Sequence, residues 1–195
     1  MKILIIAHHR SGSTTLMYGL SQCIKNSISI FEPFTNNKIL FLKDHLSNLN
    51  NSKTTIIEKH LIRSPYEDLK RNVEFFKEYM LNFDKVIILA RKDQIETSKS
   101  HNYLVKQQSK GLSVHLSYVL EENLDINKDL IIIKNYQKNL YKFASITKLP
   151  IIYYEDLYSG NKNYIEDFLK FYGIHVDNFN LFCEYLNPKN RYRQN

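Results

Sequence analysis

The stretch Lys2-Ile3-Leu4-Ile5-Ile6-Ala7-His8-His9-Arg10-Ser11-Gly12-Ser13-Thr14-Thr15-Leu16-Met17 decides how this chain is read. Its near-continuous apolar, β-branched run predicts a strand over Lys2–His8, covered on both faces. The small residues that follow predict a tight loop, and the hydroxyl-rich segment after them predicts a helix over Ser13–Ile24. The first turn of a helix leaves backbone N–H groups unpaired and carries partial positive charge, so it receives phosphate readily. Gly12 lets the backbone approach such a ligand, and Ser13, Thr14 and Thr15 add hydroxyl donors. The plainer alternative is an ordinary strand-to-helix turn capped by a serine.

Outward from this segment the same alternation recurs. Apolar runs predict strands over Thr54–His60, Lys85–Arg91 and Pro150–Glu155, with Ser27–Phe34 a weaker one. Helices are expected over Pro65–Leu81, Gln94–Gln108, Lys128–Thr147 and Lys162–Tyr172, the last closed by Gly173 as C-cap. Strands alternating with helices imply right-handed βαβ units, hence an α/β fold of three layers around a mainly parallel sheet. With no repeat and no Pro/Gly-rich linker, residues 1–195 are expected to form a single domain. The region Ser109–Asn127 is left open as a lid or an acceptor-binding insertion.

Composition narrows the function classes. The chain has 195 residues, 43% hydrophobic and 24% charged, which excludes wholesale disorder, collagen-like repeats and a solenoid. Lys+Arg at 27 against Asp+Glu at 20 gives +7, which favours an anionic ligand (nucleic acid, nucleotide or acidic glycan) or else lysines spread over a solvated face. Cys23 and Cys183 have neither CxxC nor metal-type spacing and are expected to be reduced and buried. The N-terminal apolar run is too short for a signal-peptide core or a membrane span, so a cytoplasmic location is expected.

Against the phosphate-loop pattern GxxxxGK[ST], Ala7 takes the first Gly, Gly12 the second, Ser13 the Lys and Thr14 the Ser/Thr. The lysine that would reach β- and γ-phosphates is missing, and Arg10 sits inside the loop instead. Arg10-Ser11-Gly12-Ser13-Thr14-Thr15-Leu16 resembles the 5′-phosphosulfate loop of the sulfotransferases that use 3′-phosphoadenosine 5′-phosphosulfate (PAPS). An Arg at this position is similar to the carbohydrate and bacterial branches. Lys85–Arg91 followed by Gln94–Gln108 resembles that family's 3′-phosphate signature, with Arg91 as the strand-end arginine and Ser98 or Ser100 as its serine. Ile151–Leu157 and Tyr164–Ile174 resemble its late strand and following helix. There Glu155 and Asp156 are expected to cap or pair at the sheet's end, without a catalytic role.

The resemblance implies a P-loop-like fold, PAPS as co-substrate without a metal, and a hydroxyl or amine acceptor, with a carbohydrate or glycolipid favoured. Its partners would be that nucleotide and a small-molecule or glycan acceptor rather than nucleic acid. Arg10 would carry charge stabilisation, and Ser11 to Thr15 with Arg91 would bind the nucleotide. Two residues compete for the general base. His60, in Glu58-Lys59-His60-Leu61, resembles the Lys-Thr-His-Leu segment that carries the catalytic histidine of cytosolic members. Glu32, in Phe31-Glu32-Pro33-Phe34, resembles a Glu-Pro segment of the carbohydrate branch. His8 and His9 abut the loop, and the basic stretch Asn187–Arg193 is a candidate to close over the 3′-phosphate. The rivals are a P-loop nucleoside or small-molecule kinase, which needs ATP and Mg²⁺, and a non-catalytic nucleotide-binding module.

Overall fold

In the computed structural model, residues 1–32, 45, 47–49, 52–62, 75–109 and 126–188 are described, apart from the side chains of 103–109 and 126. Strand β1 (Lys2–Ala7) has no exposed surface from Ile3 to Ala7, as a run apolar at every position requires. Helix α1 (Ser13–Cys23) leads to β2 (Ser27–Phe31), and β3 (Thr55–Leu61) follows. A helical segment over 75–79 runs into a 3₁₀ turn, Met80–Asn82, ahead of β4 (Lys85–Ala90). Next come α2 (Gln94–Ser109), α3 (Ile126–Thr147), β5 (Ile151–Tyr153), α4 (Tyr154–Leu157), α5 (Lys162–Tyr172) and α6 (Phe179–Leu186).

All described strand pairs are parallel, in the order β2-β3-β1-β4-β5. Strand side chains alternate between two cores, as a period of two dictates. Ile3, Ile5, Ala7, Ile57, Ile87 and Leu89 join α1, α5 and α6 on one face. Leu4, Ile6, Ile56, Ile88 and Ala90 pack against Phe76, Tyr79 and the α3 residues Leu140 and Phe143 on the other. The result is a three-layer α/β fold around a five-stranded parallel sheet. Among the described residues no helix is long and apolar enough to cross a membrane.

The α5 boundaries are those expected, and Gly173 closes the helix at φ 59°, donating its N–H to the Leu169 and Lys170 carbonyls. Cys23 and Cys183 are buried free thiols, and burial pushes Cys23 up to about 11. Four expectations change. The strand predicted over Pro150–Glu155 covers only Ile151–Tyr153, because the chain turns into α4 to send Tyr154 and Tyr158 toward the first loop. Serine capping gives way to Gly12 as the α1 N-cap, without a side-chain cap bond. Helix α6 was not expected, although Asn178 caps it through Leu181 N–H at 3.0 Å. The strand predicted to Phe34 ends at Phe31, and 33–34 lie outside the described residues, as do 65–74, 110–125 and 189–193.

Strand order also fixes where a ligand can sit. From β1 the chain leaves through α1 toward β2 on one side, while from β4 it leaves through α2 and α3 toward β5 on the other. Connections that part in opposite directions open a crevice at the carboxyl ends of the two strands. Arg10 follows one of those ends and Arg91 the other.

Candidate functional site

His8 joins the ends of the two strands. Its Nδ1 donates to the His9 carbonyl at 2.8 Å, and its Nε2 accepts the Arg91 N–H at 2.9 Å, so the ring must be neutral. Burial agrees, holding its pKa down at about 4. Ser11 donates its hydroxyl to the His8 carbonyl at 2.9 Å. Arg10 adopts φ 60°, sparsely populated for a residue with a Cβ, and its Nε–H donates to Ser100 Oγ at 2.7 Å. The segments expected to hold the two ends of a nucleotide therefore meet.

Gly12 stands where the loop becomes helix, at φ 83°. The Tyr158 hydroxyl donates to its carbonyl at 2.6 Å, and Tyr154 stacks on Tyr158 with 4.5 Å between ring centroids. The first helical bond runs from Leu16 N–H to the Gly12 carbonyl, so the amides of Ser13, Thr14 and Thr15 precede the ladder.

Lys59 supplies the lysine that the loop sequence lacks. As an odd-numbered β3 residue it points to the α1 face, and its ammonium donates to Thr14 Oγ1 at 3.0 Å. It also pairs with Glu32 at 2.9 Å and lies 3.8 Å from the Phe31 ring centroid, almost wholly buried. Glu32 itself takes φ 41° and donates its backbone N–H to the Lys59 carbonyl at 2.9 Å. Thr14 holds the Ser/Thr place of the phosphate-loop pattern, so the neighbouring strand brings the lysine that position 13 omits.

On the β4 side, the guanidinium carbon of Arg91 lies 4.7 Å from the Tyr154 ring centroid. Its Nε is buried, 4.0 Å from Glu155, and has no hydrogen-bond partner among the described residues. Glu155 accepts the N–H groups of Lys92 and Asp93 at 2.9 and 3.0 Å, and Asp156 pairs with the Lys92 ammonium at 2.9 Å, so both carboxylates act as caps and pairs. The amides of Lys92 and Asp93, just ahead of α2, are thus occupied. Ser98 is fully buried and donates to the Gln94 carbonyl at 2.7 Å, whereas Ser100 carries the contact with Arg10.

No family model, curated protein or solved structure matches this chain.

The two expected bases part company. Glu32 lies on the α1 face, paired with Lys59. His60 faces the other core, where its Nε2 is hydrogen-bonded to Glu58 and its ring meets Phe76 and Tyr79 edge-on. Glu58 also accepts the Tyr79 hydroxyl and lies 2.8 Å from His45 Nε2. Burial by itself would raise the Glu58 pKa, but the bonds from His45 and His60, with that of Tyr79, overcome it and hold the carboxyl at about 2. Burial, then the charge of Glu58, pushes the Tyr79 phenol up.

Sequence reasoning missed Lys59, which it gave no role; strand alternation was the signal that could have placed it beside α1. It also missed a polar cluster beside the loop. His9 stacks on Tyr136 at 5.2 Å and meets His101 edge-on at 5.6 Å, and His101 is bonded to Asp129. The basic segment 189–193 lies outside the described residues.

Proposed function

We propose that this chain is a PAPS-dependent sulfotransferase, moving the sulfuryl group to a hydroxyl or amine of a small-molecule or glycan acceptor. The contact between Arg10 Nε and Ser100 Oγ carries this proposal, because it joins the loop suited to the 5′-phosphosulfate to the helix beside Arg91, suited to the 3′-phosphate. The acceptor atom attacks sulfur, the bond from sulfur to the 5′-phosphate breaks, and negative charge grows on the bridging oxygen. Arg10, the amides of Ser13 to Thr15 and the Lys59 ammonium are the groups proposed to stabilise that charge. Glu32 then serves to hold Lys59 in place. Arg91 suits the 3′-phosphate because its planar fork binds phosphate oxygens in pairs, and its buried Nε has a donor to give. A carbohydrate or glycolipid acceptor is favoured by the arginine-type loop, and a cytoplasmic location goes with this function.

Calorimetric titration with 3′-phosphoadenosine 5′-phosphate, the desulfated product, against ATP with Mg²⁺ tests the proposal. Micromolar binding of the bisphosphate and weaker binding of ATP are expected. Arg10→Ala and Arg91→Ala should each weaken the bisphosphate by about 10- to 100-fold, the equivalent of one charge-assisted hydrogen bond. Firm ATP binding without bisphosphate binding would make the chain a kinase candidate instead. Binding confined to nucleic acid, falling steeply with salt across arbitrary sequences, would make it a binding module.

A further inference from the structure

One residue beyond Ser100, helices α2 and α3 bring together an imidazole and a carboxylate that sulfuryl transfer as described so far does not use. His101 Nδ1 lies 3.0 Å from Asp129 Oδ1, and Asn102 Nδ2 donates to Asp129 Oδ2 at 2.5 Å. An ionised carboxylate only accepts, so Nδ1 carries the hydrogen and the basic electron pair of the neutral ring sits on Nε2. A second carboxylate oxygen fixed by Asn102 keeps the Asp129 side chain from swinging away. His101 and Asp129 side chains each retain 12% exposure, so the ring is sheltered without being sealed.

The dyad is beside the crevice. His9, adjacent to Arg10, presents its ring edge-on to His101, and Ser100, adjacent to His101, holds the Arg10 guanidinium. The other two basic groups are engaged differently. The Glu32 carboxylate is held in an ion pair with Lys59, and His60 is bonded to Glu58 on the sheet face away from α1.

We propose that His101 is the base that takes the acceptor's proton and that Asp129 is the positioning residue that fixes its tautomer; this rests on the sulfuryl-transfer function proposed above. The acceptor O–H bond breaks toward His101 Nε2, and the oxygen lone pair forms the new O–S bond. The old S–O bond breaks with its electrons on the 5′-phosphate oxygen, giving the bisphosphate product. The proton leaves Nε2 for solvent. Water is the simplest acceptor for this step.

The experiment combines sulfate release from PAPS with water as acceptor, calorimetry with the bisphosphate, and ¹⁵N spectra of the histidine side chains. His101→Gln is expected to lower kcat by about 10²- to 10⁴-fold, the usual contribution of a general base, while bisphosphate affinity stays unchanged. Asp129→Asn should leave affinity unchanged, lower kcat less, and shift the His101 ¹⁵N pattern away from the pure Nδ1–H tautomer. In the wild type, saturating bisphosphate should move the His101 signals, a readout that does not depend on a variant folding. Wild-type turnover in His101→Gln, an unmoved His101 signal, or bisphosphate binding without sulfate release would each overturn the assignment. A wild type that does not bind the bisphosphate would overturn sulfuryl transfer itself, and with it the role of the dyad; calorimetry reads that failure separately.

Discussion

Gly12→Ala is expected to lower the melting temperature by about 4–20 °C and to remove bisphosphate binding, while Gly160→Ala lowers it by only about 2–8 °C. Both glycines adopt left-handed backbone, φ 83° and 82°, so alanine carries a similar conformational cost at each, about 1–2 kcal/mol. They differ in their surroundings. A Cβ on Gly12 would stand 2.8 and 2.9 Å from ring carbons of Tyr154 and 3.1 Å from Tyr158, whereas one on Gly160 would meet nothing within 4 Å. Forcing the stacked tyrosines aside adds an overpacking cost of about 1–3 kcal/mol. Moving Tyr158 also disturbs its 2.6 Å bond to the Gly12 carbonyl, and moving Tyr154 disturbs the ring beneath Arg91, which ties the stability loss to the site. Thermal melts of the two variants, each paired with calorimetry, decide the matter. Equal melting shifts would show that the tyrosine contact does not shape the loop.

The alternation of apolar runs was enough to reach the layered parallel sheet, because strands covered on both faces are apolar along most of their length, as β1 and β4 are. It was least reliable where local preference and tertiary demand conflict. Tyr153 and Tyr154 favour extended backbone, yet the chain turns into α4 after Tyr153 so that Tyr154 can pack on the loop. At the site, Arg10 and Gly12 were legible because their segment carries a local pattern, and Ser100 was one of two serines, with Ser98, offered by the segment after Arg91. Lys59, His101 and Asp129 were not legible. Lys59 reaches Thr14 across 45 positions, and Asp129 reaches His101 across 28, with an unassigned stretch between them. Such pairs arise from strand order and helix packing, which local spacing does not encode. The Glu58 cluster shows the same limit: Glu58 and His60 share a strand face by alternation, but Tyr79 joins them only through the fold.

Acid should destabilise this protein in two steps that single substitutions separate. His8 is held neutral, its pKa lowered from 6.5 to about 4, so between those values the unfolded chain binds more protons than the native one. Stability therefore rises with pH across that window: it is fully present above about 6.5 and lost as pH falls through about 4, a change of about 3 kcal/mol. Glu58 is held ionised, lowered from 4.5 to about 2, so its contribution of similar size is present above about 4.5 and disappears as pH falls toward 2. The two groups act in the same direction for opposite reasons, since burial favours the uncharged imidazole while hydrogen bonds favour the charged carboxylate. Urea unfolding midpoints at closely spaced pH values should show an upper limb that flattens in His8→Asn and persists in Glu58→Gln, with the lower limb behaving the other way round. An upper limb that survives His8→Asn would assign it to another group. The upper step also bears on the crevice, because a protonated Nε2 cannot accept the Arg91 N–H. Losing that bond uncouples the end of β1 from the end of β4, the two strand ends on which Arg10 and Arg91 are carried.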